Sequence, residues 1–271
     1  MQKSQDFLSY FSFHTLPFTR EIAVKDRFTV PNGDQHLQYL HRAVEKRMSA
    51  TLIAPAGTGK TMLLRTLVDQ LPPTRYQIHY VKVTSLSKRD LCREIATVVG
   101  AKPAGNYPTL VRRLQERFTA SMDVDSLRPV LILDEAHSIR PEVLSILGIL
   151  TNFDMDSRLV VSIILSGQSP LLELLRQPML EDVAKRMAHS ACLHLMAAPD
   201  VNKYVKHRCL IAGSTQSPFE SDALTALYEI ARGNFRATDY LALKSLEVAH
   251  DNECKQVNAN HVVEARGLLW A

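Results

Sequence analysis

Up to Pro199, short apolar runs alternate with longer stretches in which apolar residues recur every third or fourth position. The runs Thr51 to Ala54, Pro129 to Leu133, Leu159 to Leu165 and Ala191 to Ala197 predict buried strands. The polar and apolar alternation of Tyr76 to Val83 predicts another. The longer stretches predict helices. Gln35 to Arg47 follows Asp34 as a cap, Met62 to Leu71 stops at Pro72-Pro73, and Ser87 to Val99 opens on a capping box of Ser87 and Asp90. Pro108 to Phe118, Pro141 to Phe153, and Leu171 to Met187 with an interruption at Pro178 complete the set. Arg112, Arg113 and Arg117 are expected on a solvated helix face.

Strands alternating with helices predict an α/β domain, a parallel sheet covered on both faces, with ligands at the carboxyl ends of the strands. Beyond Pro199 the strand signal stops. Asp200 to Ile211, Ser221 to Ala231, Thr238 to His250 and Asn260 to Leu268 read as helices, with Gly213 and Gly233 at stops. The predicted organisation is an N-terminal strap and helix over 1–48, an α/β domain over 49–198 and a small all-helical domain over 199–271. The strap carries turn signals at Pro17-Phe18 and Pro31-Asn32-Gly33, and its aromatics Phe7, Tyr10, Phe11, Phe13 and Phe18 are expected to pack on the body.

Composition changes this picture little. At 46% hydrophobic and 22% charged over 271 residues the chain has an ordinary globular composition. Cys92, Cys192, Cys209 and Cys254 are scattered without a metal-ligand spacing, and are expected to be reduced thiols of a cytoplasmic protein. The opening residues are too polar for a signal peptide and the longest apolar runs too short to span a bilayer, so no membrane partner is expected. A formal charge of +4 permits a polyanionic partner without demanding one.

The chemistry begins at Thr51 to Thr61, TLIAPAGTGKT. A strand feeds a small-residue loop, which feeds a helix N-terminus, and the helix's unpaired N–H groups and dipole favour an anion there. Ala54, Pro55, Ala56, Gly57, Thr58, Gly59, Lys60, Thr61 and Met62 form the predicted phosphate cradle. Lys60 reaches the β- and γ-phosphates and the Thr61 hydroxyl ligates Mg²⁺. The pattern is G-x-x-x-x-G-K-[ST] with Ala54 in place of the first glycine, a small residue that still lets the backbone approach. The strand PVLIL ends in Asp134-Glu135, where Asp134 is expected to hold Mg²⁺ and Glu135 to act as general base on the attacking water. The next predicted strand ends in Ser166-Gly167-Gln168. Either Ser166 or Gln168 is a candidate to touch the γ-phosphate or orient the water, or the polar residue is a cap before Pro170.

Pro17-Phe18, APAGTGKTMLLR, VLILDEAH, LTNFDMDSRLVVSIILSGQSPL, AKRM and GNFRATDYLAL, in that order over nearly the whole chain, resemble the ExeA/GspA-type AAA+ ATPases, which include the transposon ATPases related to TnsC, TniB and the Mu B protein. The resemblance implies a P-loop AAA+ three-layer parallel sheet followed by a helical lid, with ATP and Mg²⁺ as cofactors and hydrolysis to ADP and phosphate. It implies that Arg186, in AKRM, reaches the neighbouring subunit's nucleotide, and that Arg236, in GNFR, contacts the γ-phosphate. Phe235 replaces the family's usual proline at that second motif. Self-assembly into a ring or helical filament on double-stranded DNA follows, with Lys88, Arg89 and Arg140 as candidate phosphate contacts.

The function so implied is an ATP-dependent, DNA-binding regulator of transposition that recruits a transposase, with a target-selector protein as a further partner. The alternative is a secretion-associated ATPase like ExeA. Family members of that type carry a membrane segment and a wall-binding domain after the ATPase, and the absence of these here is expected to argue against it.

Overall fold

The computed structural model describes residues 7–30 and 32–269, so the turn expected at Pro31 lies outside the described residues. In chain order its labelled elements begin with α1 (Gly33–Glu45), β1 (Ser49–Ile53), α2 (Lys60–Gln70), β2 (Tyr76–Lys82), α3 (Lys88–Val99), α4 (Tyr107–Asp123) and β3 (Arg128–Asp134). They continue with α5 (Pro141–Leu144), α6 (Ile146–Leu150), β4 (Ser162–Gly167), α7 (Pro170–Leu175), α8 (Glu181–Lys185) and β5 (Met187–Cys192). The last are α9 (Ala198–Ile211), α10 (Ser221–Ala231), α11 (Phe235–Asp251) and α12 (Ala259–Leu269).

The chain divides into two compact units. One comprises residues 32–55 and 60–193; the other comprises the described parts of 1–31 and 194–271 together with 56–59.

The first unit is built on a five-stranded sheet, order β2-β3-β4-β1-β5, in which every pairing is parallel. β3 is buried from Pro129 onward and β4 throughout, which is why β3 reads as an unbroken apolar run and β4 as a largely apolar one. Leu131, Leu133, Ile163 and Leu165 pack with Leu91 and Ile95 of α3 and Leu110, Leu114 and Phe118 of α4. Ile132 and Ile164, on the alternate face, are fully buried, and α1 and α2 pack against each other with α1 on β1 and β5. This is the α/β P-loop fold of AAA+ proteins. The sheet order sets β4 between β1 and β3, so the carboxyl end of β4 is flanked by the end of β1 and the Asp134 end of β3.

Several boundaries differ from those the spacing predicts. The cap of α1 is Asn32, in a left-handed conformation at φ 59°, and Asp34 falls inside the first turn, where its charge still favours the helix N-terminus. The helix expected over 141–153 breaks into α5 and α6 at Ser145, whose hydroxyl bonds the Glu142 carbonyl and competes with the helical ladder. β4 starts at Ser162 instead of Leu159, because pairing with β3 begins at Ser162 opposite Val130. The last strand is 187–192, not 191–197, and the preceding helix ends at Lys185. Its sequence, MAHSAC, is that of an edge strand, whose one paired side puts Ala191 inside and leaves alternate residues exposed. Arg117 is not spent on solvent: its Nε donates to the Val99 carbonyl and its Nη1 to Asp125, while Arg113 donates to the Ala104 carbonyl.

The second unit is helical. Val201, Val205, Leu227, Leu241, Leu246 and Val262 of α9 to α12 share one core with Phe11, Phe13 and Phe18 of the N-terminal strap. A buried polar knot fixes that strap. Arg208 on α9 is 2% exposed, pairs with Asp239 on α11 at 3.2 Å, and donates to Tyr204 and to the Thr19 carbonyl. Its guanidinium lies over the Phe18 ring.

Candidate functional site

Asp134 ends β3 and is 4% exposed. Three donors meet its carboxylate. Ser166, at the end of β4, donates its hydroxyl to Oδ1 at 2.7 Å, and the Glu135 backbone N–H donates to the same oxygen at 3.0 Å. The Tyr80 hydroxyl, from β2, donates to Oδ2 at 2.9 Å. Burial, with the Asp134 carboxylate beside it, pushes the Tyr80 phenol well above its ordinary value, so it remains a donor at physiological pH.

Glu135 follows in a left-handed conformation at φ 59°, a strained position for a residue with a side chain. This turn directs its half-buried carboxylate away from the strand, with Oε2 3.6 Å from Nδ1 of His137. Nδ1 of His137 also accepts the Gln168 backbone N–H at 3.3 Å, which puts the ring proton on Nε2 when the imidazole is neutral. The end of β4 therefore touches both acidic residues' surroundings, through Ser166 to Asp134 and through Gln168 to His137. Gly167, between them, sits so close that an added Cβ would lie 3.2 Å from the His137 backbone nitrogen.

At the end of β1, Ala54 is 1% exposed and its backbone N–H donates to the Gly167 carbonyl at 3.0 Å. Gly57 and Gly59 both take positive φ, 74° and 91°. The chain then enters α2, whose first turn carries no acidic residue to oppose its dipole. The Lys60 ammonium is buried and donates to the Ala54 carbonyl at 3.3 Å, while Thr61 beside it is exposed.

The remaining candidates fall as follows. Of the two strand-end candidates, Ser166 is fully buried and donates its hydroxyl to Asp134, while the Gln168 backbone N–H donates to His137. Arg186 lies directly before β5 and its Nη1 donates to Asp156 at 2.5 Å; its Nε is buried without a hydrogen-bond partner among the described residues. Asp156 belongs to a run, Asp154, Met155 and Asp156, in which all three residues take positive φ and Met155 is 97% exposed. Arg236 is exposed in the first turn of α11. Arg89 and Arg140 are exposed and Lys88 half-buried at the starts of α3 and α5, with Arg89 donating to the Gly105 carbonyl.

Two of the residues that escaped the sequence reading bear on Asp134 and on the loop after β1. Tyr80 is one, because its contact depends on strand register. Asn234 is the other: it caps α11 through Ala237 and its Nδ2 donates to the Ala56 carbonyl at 2.7 Å, while Phe235 N–H donates to the Gly57 carbonyl at 2.9 Å. Its position as an asparagine before a helical stretch was the available signal.

The fold is that of α/β P-loop proteins of AAA+ architecture. A family model described as an AAA domain matches residues 42–175. Over 247 residues, 90% of this chain, the sequence is 29% identical to General secretion pathway protein A of Aeromonas hydrophila, and it spans 45% of that protein's length. Among solved structures, Cdc6p from Pyrobaculum aerophilum superposes with a TM-score of 0.70 at 19% identity, covering 97% of this chain and 72% of that one. Aeropyrum pernix ORC1, solved in complex with DNA, gives 0.69 at 18% identity, covering 95% and 70%. The Holliday junction branch migration motor RuvB of Thermotoga maritima gives 0.59 at 18%, covering 88% and 68%. At these identities the likeness is one of fold. Among the described residues, no helix is long and apolar enough to cross a membrane.

Proposed function

We propose that this chain is a Mg²⁺-dependent ATPase of the ExeA/GspA type. The observation that carries the reading is the Asp134 carboxylate, held by Ser166 and the Glu135 N–H at the end of a strand flanking the one next to the P-loop strand. The donor chemistry fits the metal: Thr61 and Asp134 offer hard oxygens, and Mg²⁺ takes few protein ligands and fills the rest of its shell with phosphate and water. Among the described residues no group of three His, Cys, Asp or Glu side chains could hold a metal alone. When bound, the metal draws off charge developing on the phosphates.

The chain's own residues do the rest. The backbone of Ala54 to Met62 and the Lys60 ammonium neutralise and orient the triphosphate. Glu135, carried clear of the strand by its turn, accepts the proton of the water that attacks the γ-phosphorus, and ADP leaves. Arg186, from a neighbouring subunit, and Arg236 stabilise the transferred charge. Glu135→Gln is expected to lower turnover by at least about a hundredfold while ATP still binds. Equal turnover of the wild type and this variant removes Glu135 from the base role.

We read the biological setting as assembly on double-stranded DNA, with Lys88, Arg89 and Arg140 on phosphates, in regulation of transposition. The order of motifs along the chain supports it. A non-hydrolysable ATP analogue should promote salt-sensitive duplex binding, with recruitment of a transposase and a target-selector protein. Absence of duplex binding at low salt rejects it. The match to General secretion pathway protein A favours a second reading, a secretion-associated ATPase. Association with the membrane fraction of cells, with no duplex binding, selects that one.

A further inference from the structure

The Tyr80 hydroxyl is a choice the fold did not require. β2 lies at the end of the sheet and Tyr80 is 46% exposed, so a phenylalanine there keeps the ring's packing and loses one hydrogen bond. That bond has a defined origin. In the parallel register Tyr80 stands opposite Ile132 and Lys82 opposite Asp134. Alternate residues share a face, so Tyr80 is the diagonal neighbour of Asp134, within reach of a long aromatic side chain. Ser166 and the Glu135 N–H both bond Oδ1. Those two donors restrain the carboxylate from one oxygen only; the Tyr80 bond supplies Oδ2 with a donor of its own, so that turning about Cβ–Cγ strains hydrogen bonds at both oxygens.

We propose that Tyr80 is a positioning residue: its hydroxyl locks the plane of the Asp134 carboxylate and so sets the affinity of the site for Mg²⁺. The inference rests on the Mg²⁺-ATP reading above. The role resembles that of the groups that orient metal ligands from behind, whose loss typically weakens metal binding about 10- to 100-fold. Because Tyr80 is half-exposed, the lower end applies.

The test uses the full chain and a fluorescent ATP analogue, titrated with MgCl₂ and read by analogue fluorescence without reference to turnover. Tyr80→Phe should bind the analogue in EDTA as the wild type does and keep its thermal midpoint. It should need about ten times more Mg²⁺ for half of the metal-dependent change. In an Asp134→Asn background, adding Tyr80→Phe should change nothing further, because the two act through one group. An unchanged Mg²⁺ midpoint in Tyr80→Phe overturns the proposal, as does an equal effect of Tyr80→Phe with and without the Asp134 carboxylate. A wild type that binds the analogue with no response to Mg²⁺ overturns the metal reading itself, and this inference with it.

Discussion

Gly57 and Gly59 look interchangeable in sequence, and both adopt positive φ. Their surroundings differ. A Cβ on Gly57 would lie 2.3 Å from Oδ1 of Asn234, whereas a Cβ on Gly59 meets nothing within 4 Å. Gly59→Ala should therefore cost only the left-handed backbone penalty, about 1 to 2 kcal/mol. Gly57→Ala pays that and also displaces Asn234 from the Ala56 carbonyl. Chemical denaturation should rank Gly57→Ala below Gly59→Ala by about 1 kcal/mol or more. The strand, loop and helix over 49–70 were legible because they are contiguous in the chain. Asn234 was not, because it reaches the loop from 178 positions away. The same holds for Tyr80, whose reach to Asp134 follows from register, which spacing along one strand does not carry.

Helices α9 and α11 are joined by charge where the pattern of apolar residues suggests only packing. Burial pushes the Asp239 carboxyl up from 3.8 to about 6, against the pull of Arg208 and the Tyr204 hydroxyl. A folded carboxyl that binds its proton more tightly than the unfolded chain favours folding below pH 4, and that contribution is lost as the pH rises through 6. At about 1.4 kcal/mol per pH unit it amounts to the order of 3 kcal/mol. Asp239→Asn removes the slope. Stability measured from pH 7 to pH 4 should shift in favour of the wild type relative to this variant as the pH falls. Elements with strong local punctuation were legible: Ser87 accepts the Asp90 N–H as the capping box requires, and α10 spans Ser221–Ala231 as its periodicity indicates. β5 was not, because an edge strand half-exposed to solvent lacks the apolar run that marked β3.

At the scale of the whole molecule, the proposed assembly bears on the ion pair that Arg186 makes with Asp156 of its own chain. Its bond to Asp156 is partly exposed, so it holds the guanidinium with at most about 1 kcal/mol. If Arg186 serves a neighbour's nucleotide, Asp156 competes for it. Asp156→Ala should raise turnover per subunit by up to about fivefold at limiting protein concentration, and Arg186→Ala should lower it. Turnover of Asp156→Ala equal to or below wild type argues against the role in trans. The resemblance in motif order carried this arginine, and nothing in its local sequence named Asp156 as its partner.

β4 is hydrogen-bonded on both sides, to β1 and to β3, and every residue in it is buried. Its amides can meet water only when the sheet itself comes apart, whereas the exposed turn at 154–156 can breathe by itself. Amide hydrogen exchange is therefore expected to be slow at Ser166 and fast at Asp156. The Asp134 carboxylate is anchored through Ser166 to backbone whose opening is expected to take minutes to hours. Arg186 is tethered to that turn through Asp156, where motion is expected in microseconds or less.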